Sequence, residues 1–192
     1  RSEAEGLRAK LGSEGPRYDF AAMGDALAVQ KLTAFLSGAG VKVKTVAAHQ
    51  ATWEAASEGN LILLGDWQTN PLLRRLPVMR DFDLREAGMA QNRNPRAGEP
   101  LAYLLKADEG QSAFAVAATY PGLKPGREIL AIQAQSAAAA AGALESLMDR
   151  ESAGSLLGGA GTGGRHFQLL VQVWLDGAAA VKTERVACHE DR

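Results

Sequence analysis

The sequence predicts an α/β fold: a three-layer, Rossmann-like sandwich around a mixed sheet, parallel in its N-terminal part and built from antiparallel hairpins in its C-terminal part. Three observations carry this reading. Leu61-Ile-Leu-Leu64 is an uninterrupted apolar run ended by Gly65, the pattern of a strand covered on both faces. The alternating Val41-Lys-Val-Lys-Thr-Val46 and the short helical stretch Thr52 to Ser57 precede it, so a strand–helix–strand unit with a parallel pair is expected. From residue 101 onward the strand-like runs lie close together across turn residues, which points to antiparallel pairing.

Taken in order, Arg1 to Pro16 is charged and carries only Leu7 and Leu11 one turn apart, so it reads as a linker helix or tail ahead of a single α/β domain over 17–192. The start at Arg1 suggests a piece of a longer protein with an upstream domain. Ala28, Leu32, Phe35 and Leu36 recur at helical spacing, and Gly38 and Gly40 end that helix. Val41–Val46 and Leu61–Leu64 are expected as neighbouring parallel strands joined by a right-handed crossover. After the turn that follows Gly65, Pro71 opens a further helix with Leu72, Leu73 and Leu76 on one side. Leu101–Ala107 and Ala113–Thr119 are expected as a hairpin across Asp108-Glu-Gly-Gln-Ser112, and Glu128–Ala134 should return antiparallel to the second of these. Ser136 caps a long alanine-rich helix that buries Leu144, Leu147 and Met148. Gly154 to Gly164 reads as a flexible loop, and Phe167–Leu175 with Val181–His189 closes the chain as a hairpin around Asp176-Gly177 at a sheet edge.

Composition narrows the function classes. With 192 residues, 46% of them hydrophobic, the chain can bury a substantial core. Its 21 Lys and Arg against 22 Asp and Glu give a net charge of −1, which is not the footprint of a nucleic-acid binder. Cys188 is the only cysteine, so no intrachain disulfide forms. No apolar run reaches the roughly 20 residues of a membrane helix. A cytoplasmic location is expected for the fragment, with membrane tethering of the longer protein left open.

No motif names a reaction. Gly159-Ala-Gly-Thr-Gly-Gly164 follows a helix and opens a strand, the reverse of a phosphate-cradling turn. His49, His166 and His189 have no metal-ligand spacing, and no metal or cofactor is expected. Cys188 and His189 are strand neighbours and point to opposite faces, so they make no nucleophile–base pair. Asp81, Asp83 and Glu86 read as a solvated acidic face. No catalytic residue is expected. A ligand cleft is instead expected where helix starts converge at the carboxyl edge of the sheet: Gly24 and Asp25, then Gly65, Asp66, Trp67, Gln68 and Asn70, then Ser136. Glycine allows close backbone approach there, Trp67 can cover an apolar group, and Asn70 offers both a donor and an acceptor.

Gly24-Asp-Ala-Leu-Ala28, Asn60-Leu-Ile-Leu-Leu-Gly65 with Asn70, Ala113–Thr119, Ile129–Leu147, Gln168–Val173 and Arg185-Val-Ala187 together resemble an uncharacterised α/β domain of soil-bacterial proteins. That domain often follows a winged-helix DNA-binding module, sometimes with a transmembrane helix between them. Here Gln133-Ala-Gln-Ser136 stands where the family carries a glycine-containing turn. The resemblance implies a sensory or accessory domain with a small-molecule or protein partner and no direct contact with nucleic acid. Two classes follow: a non-catalytic ligand-sensing or protein-interaction domain of a larger bacterial regulatory or signalling protein, or a nucleotide- or sugar-processing enzyme using Asp25 and Asp66 at the switch-point cleft.

Overall fold

The computed structural model describes residues 23–65, 70, 72–73, 81–106, 110–161 and 164–190. The expected tail 1–16, the turn residues Asp66, Trp67 and Gln68, and the helix expected from Pro71 to Leu76, apart from Leu72 and Leu73, lie outside them.

Helix α1, Met23–Gly38, ends where the glycines require it. Gly40 takes φ 77°, and the Val41 and Gly40 amides donate to the Leu36 and Ser37 carbonyls. This paired arrangement is the Schellman termination, in which a left-handed glycine turns the chain off the helix. The next segment departs from expectation. Val41–Val46 joins no sheet; residues 41–47 are exposed and carry neither helical nor strand pairing. Period-two patterning alone does not supply a neighbouring strand, and pairing is what makes a strand stable.

A short helix, α2 (Trp53–Ser57), is capped by Thr52, whose hydroxyl accepts from the Ala55 amide at 3.2 Å. It leads into β1, Leu61–Leu64. The strand β1 is parallel, as its composition implies, but its partner is distant in sequence: Leu61 to Leu64 register against Ile129 to Ile132 of β6, Glu128–Ala134. Asn60 fixes that register by accepting from the Glu128 amide at 3.0 Å.

Between these strands the chain builds β2 (Phe82–Asp83), β3 (Met89–Asn92) and β4 (Ala102–Leu104), which form a three-stranded antiparallel sheet, and then β5, Ser112–Pro121. The hairpin expected between 101–107 and 113–119 is therefore corrected: β4 pairs with β3, and β5 belongs to the larger sheet. The alanine-rich helix α3, Ala137–Met148, starts at Ser136 as expected, with the Ser136 hydroxyl accepting from the Ala139 amide at 3.2 Å. Asp149 ends it and caps α4, Arg150–Leu157, so the first residues of the supposed flexible loop are helical. Strands β7 (Phe167–Asp176) and β8 (Ala179–Glu190) form the closing hairpin.

The five-stranded sheet has the order β1-β6-β5-β7-β8, with β1 parallel to β6 and every other pair antiparallel. The terminal hairpin thus lies at an edge, as expected. Strand β5 is covered on both faces, and its alternation sorts the core. Phe114, Val116, Ala118 and Tyr120 pack with Leu63, Leu73, Phe82, Ala90 and Leu170 beneath the small sheet. Ala113 and Ala115 pack on the opposite face with Ala139, Ala143, Leu156, Leu169 and Val173, while Ala117 meets Ala28, Ile132 and Leu144. Small side chains on β5 and α3 bring helix and sheet close. A Cβ added at Gly142 would sit 2.4 Å from the Ala180 Cβ.

No helix among the described residues is long and apolar enough to cross a membrane.

Candidate functional site

The expected cleft residues occupy helix and strand ends. Gly24 and Asp25 lie in the first turn of α1, Gly65 ends β1 with φ 114°, and Ser136 starts α3 just beyond β6. Because β1 and β6 are parallel neighbours, Gly65 and Ser136 share the carboxyl edge of the sheet. Asn70 is buried, and both halves of its amide bond within the chain: Nδ2 donates to the Leu64 carbonyl at 3.0 Å, and Oδ1 accepts from the Leu72 amide at 3.0 Å. Ser136 likewise spends its hydroxyl on the helix cap. Next to Ser136, Gln135 reaches across to the small sheet. Its Oε1 accepts from the Phe114 amide, and its Nε2 donates to the carbonyls of Glu86 and Met89 at 2.6 and 2.9 Å. It therefore ties the small sheet to the main one.

The densest chemistry lies elsewhere, where the small sheet meets β8. Among the described residues the buried charged or titratable polar side chains are Asp81 and His189, accompanied by Asn92 and Gln168. His189 Nδ1 is 2.7 Å from Asp81 Oδ2, and Nε2 is 2.8 Å from Glu99 Oε2. Both ring nitrogens are thus engaged by carboxylates of the same chain. Phe82 lies against the ring, centroid to centroid 4.6 Å.

Each carboxylate is held in turn. Asn94 donates to Asp81 Oδ1 at 3.3 Å, and the Asp81 amide donates to Gln168, the register partner of His189. Glu99 Oε2 also accepts from Asn92 Nδ2 and from the Arg96 amide, both at 2.9 Å. Burial pushes the Glu99 carboxyl up, but these donors and His189 outweigh it, and the group lies below its ordinary value. Arg96 closes the set by donating to the Glu190 carbonyl at 2.9 Å and the Cys188 carbonyl at 3.4 Å, on the outer edge of β8.

Asp81 and Glu99 sit at opposite ends of one imidazole, so they cannot converge on a single ion. Among the described residues no group of His, Cys, Asp or Glu is arranged to hold a metal. Nor do buried side-chain polar atoms among them lack a partner. The cluster sets Arg96 and His189 beside the carboxylates of Asp81 and Glu99. Its geometry is that of a clamp, a cross-link between two sheets.

The solvated acidic face expected for Asp81, Asp83 and Glu86 is corrected at Asp81, which is 8% exposed and faces His189. Cys188 and His189 are separated, as expected. Cys188 packs with Leu156 and Leu169 toward the helices, and burial raises its thiol, while His189 faces the small sheet. The missed signal is Asn92-Arg-Asn-Pro-Arg-Ala-Gly-Glu99, a turn whose polar residues exceed what turn geometry needs.

Two open cavities accompany these features. A groove of about 440 Å³ runs between α3, α4 and β8, with Ser146, Ser152, Ser155 and Thr183 among its lining. A smaller one of about 270 Å³ lies beside Asp83, Arg85 and Gln91. Gly65, Asn70 and Ser136 line neither. No protein-family model, curated protein or solved structure matches the chain.

Proposed function

We propose that this chain is a non-catalytic ligand-sensing or protein-interaction domain of a larger bacterial regulatory or signalling protein, built as a three-layer, Rossmann-like sandwich. One observation carries the reading. The constellation best suited to acid–base work, His189 with Asp81 and Glu99, has both ring nitrogens occupied by carboxylates of the same chain. A general base needs a nitrogen within reach of a substrate proton, and this ring offers neither. Asn70 and Ser136 at the sheet edge serve the local backbone in the same way. The resemblance of Gly24–Ala28 and Asn60–Gly65 to a domain carried beside winged-helix modules supports the regulatory setting.

The test is a panel of nucleotides and sugar phosphates, scored for turnover and for shift of the melting temperature. The reading expects no turnover, and a stabilising ligand, where one exists, that is recovered unchanged. Turnover lost in Asp25→Asn or Asp66→Asn would overturn it in favour of an enzyme using those carboxylates.

A further inference from the structure

We infer that residues 41–46 form an edge on which an extended acidic segment of a partner protein docks by strand addition; this rests on the interaction-domain reading and names its partner. Val41, Val43 and Val46, three of the nine large hydrophobic side chains exposed among the described residues, stand within this one short segment. Exposed apolar side chains concentrated in one place mark interaction surfaces.

The charge is equally concentrated. Between Asp25 and Glu54 the only formally charged side chains are Lys31, Lys42 and Lys44, in a chain whose net charge is −1. Lys31 pairs with Glu145, whereas Lys42 and Lys44 have no ion-pair partner among the described residues. In strand geometry both lysines fall on one face and Val41 and Val43 on the other. The complementary strand carries acidic groups opposite the lysines and apolar groups opposite the valines.

The backbone identifies the occupant as a polypeptide. Residues 41–47 take part in no helix or sheet, yet the segment is tethered along α1, by the Val41 amide on the Leu36 carbonyl at 2.9 Å and by Thr45 Oγ1 at 3.4 Å from Thr33 Oγ1. A strand entering beside it satisfies the row of N–H and C=O groups, as in β-augmentation. An anionic lipid surface answers the lysines and valines but leaves those backbone groups without partners in an apolar medium.

The experiment uses the whole 192-residue chain and a short, capped, fluorescent peptide that alternates glutamate with valine. Saturable binding is expected, with hydrogen-exchange slowing confined to residues 41–46. Lys42→Glu/Lys44→Glu should weaken it about tenfold or more, the scale of a few cross-strand charge pairs, and should gain affinity for a lysine–valine peptide. Val43→Pro, which removes a backbone N–H from the segment, should lose binding at unchanged melting temperature. Absence of peptide binding, or binding indifferent to the charge reversal, overturns the proposal. So does lysine-dependent binding to phosphatidylserine vesicles without peptide binding. These failures leave the domain reading standing, which only turnover in the nucleotide and sugar-phosphate panel removes.

Discussion

His189 contributes a side chain 2% exposed and Asp81 one 11% exposed, so removing either partner strands the other in a poorly solvated place. Deleting one member of a buried ion pair typically costs about 3–5 kcal/mol. Asp81→Ala should lose stability on that scale in urea denaturation; a loss below about 0.5 kcal/mol, the usual size for a surface change, would show that the bond is idle. Glu99 makes a prediction in pH. Its folded carboxyl lies below the ordinary value of 4.5, so its contribution is present above that value and is lost as pH falls through the depressed one. Glu99→Gln should therefore flatten the acid limb of the stability profile while leaving its shape near neutrality unchanged. An acid limb as steep as that of the parent chain would contradict the assignment. In the core, Leu63 is 6% exposed whereas Val41 is 49% exposed. Leu63→Ala should cost about 2–5 kcal/mol and Val41→Ala less than about 0.5 kcal/mol. Equal losses would mean that burial does not set their contributions.

At the scale of elements, α3 depends on its start and on its closest approach. The Ser136 hydroxyl accepts from the Ala139 amide, and Ser136→Ala should cost about 1 kcal/mol, measurable by thermal denaturation. Gly142 lets α3 lie on the β7–β8 hairpin, because an added Cβ would stand 2.4 Å from Ala180 and 2.9 Å from Val173 Cγ1. Gly142→Ala should therefore destabilise by about 1–3 kcal/mol through overpacking, although alanine is the better helix former. Were Gly142→Ala stabilising, helix propensity would dominate and the contact would have room to relax. The small sheet is held from two sides, by Gln135 reaching Glu86 and Met89 and by the clamp at β8. Arg96 also occupies carbonyls on the outer edge of β8, which blocks that stretch against pairing with another chain.

Across the whole molecule, what proved legible in the sequence is what local chemistry controls. The Leu61–Leu64 run, the Gly40 termination, the Ser136 cap and the turn at Asp176-Gly177 each declare themselves through residue type, and the closing hairpin follows from them. Long-range choices are written less clearly. The parallel partner of β1 could be any apolar strand, and β6 competes better than Val41–Val46 because Ile129, Ala131 and Ile132 bury fully against both neighbours. The clamp was invisible for a related reason. Asp81, Glu99 and His189 lie far apart in the chain, each looks like an ordinary polar residue, and only folding brings them to one ring.

If Asp81, Glu99 and His189 cross-link the two sheets, they must stabilise the fold jointly. A double-mutant cycle in urea, with Asp81→Asn, His189→Gln and the pair, tests this most directly. Residues in one ion-pair network couple by about 0.5–3 kcal/mol. Each single variant should be destabilised, and the double variant should lose less than their sum by an amount in that range. Residues kept for chemistry behave in the opposite way, since replacing them commonly leaves stability unchanged or raises it. Variants at Asp81 and His189 as stable as the parent chain, with additive effects, would show that the cluster is no cross-link.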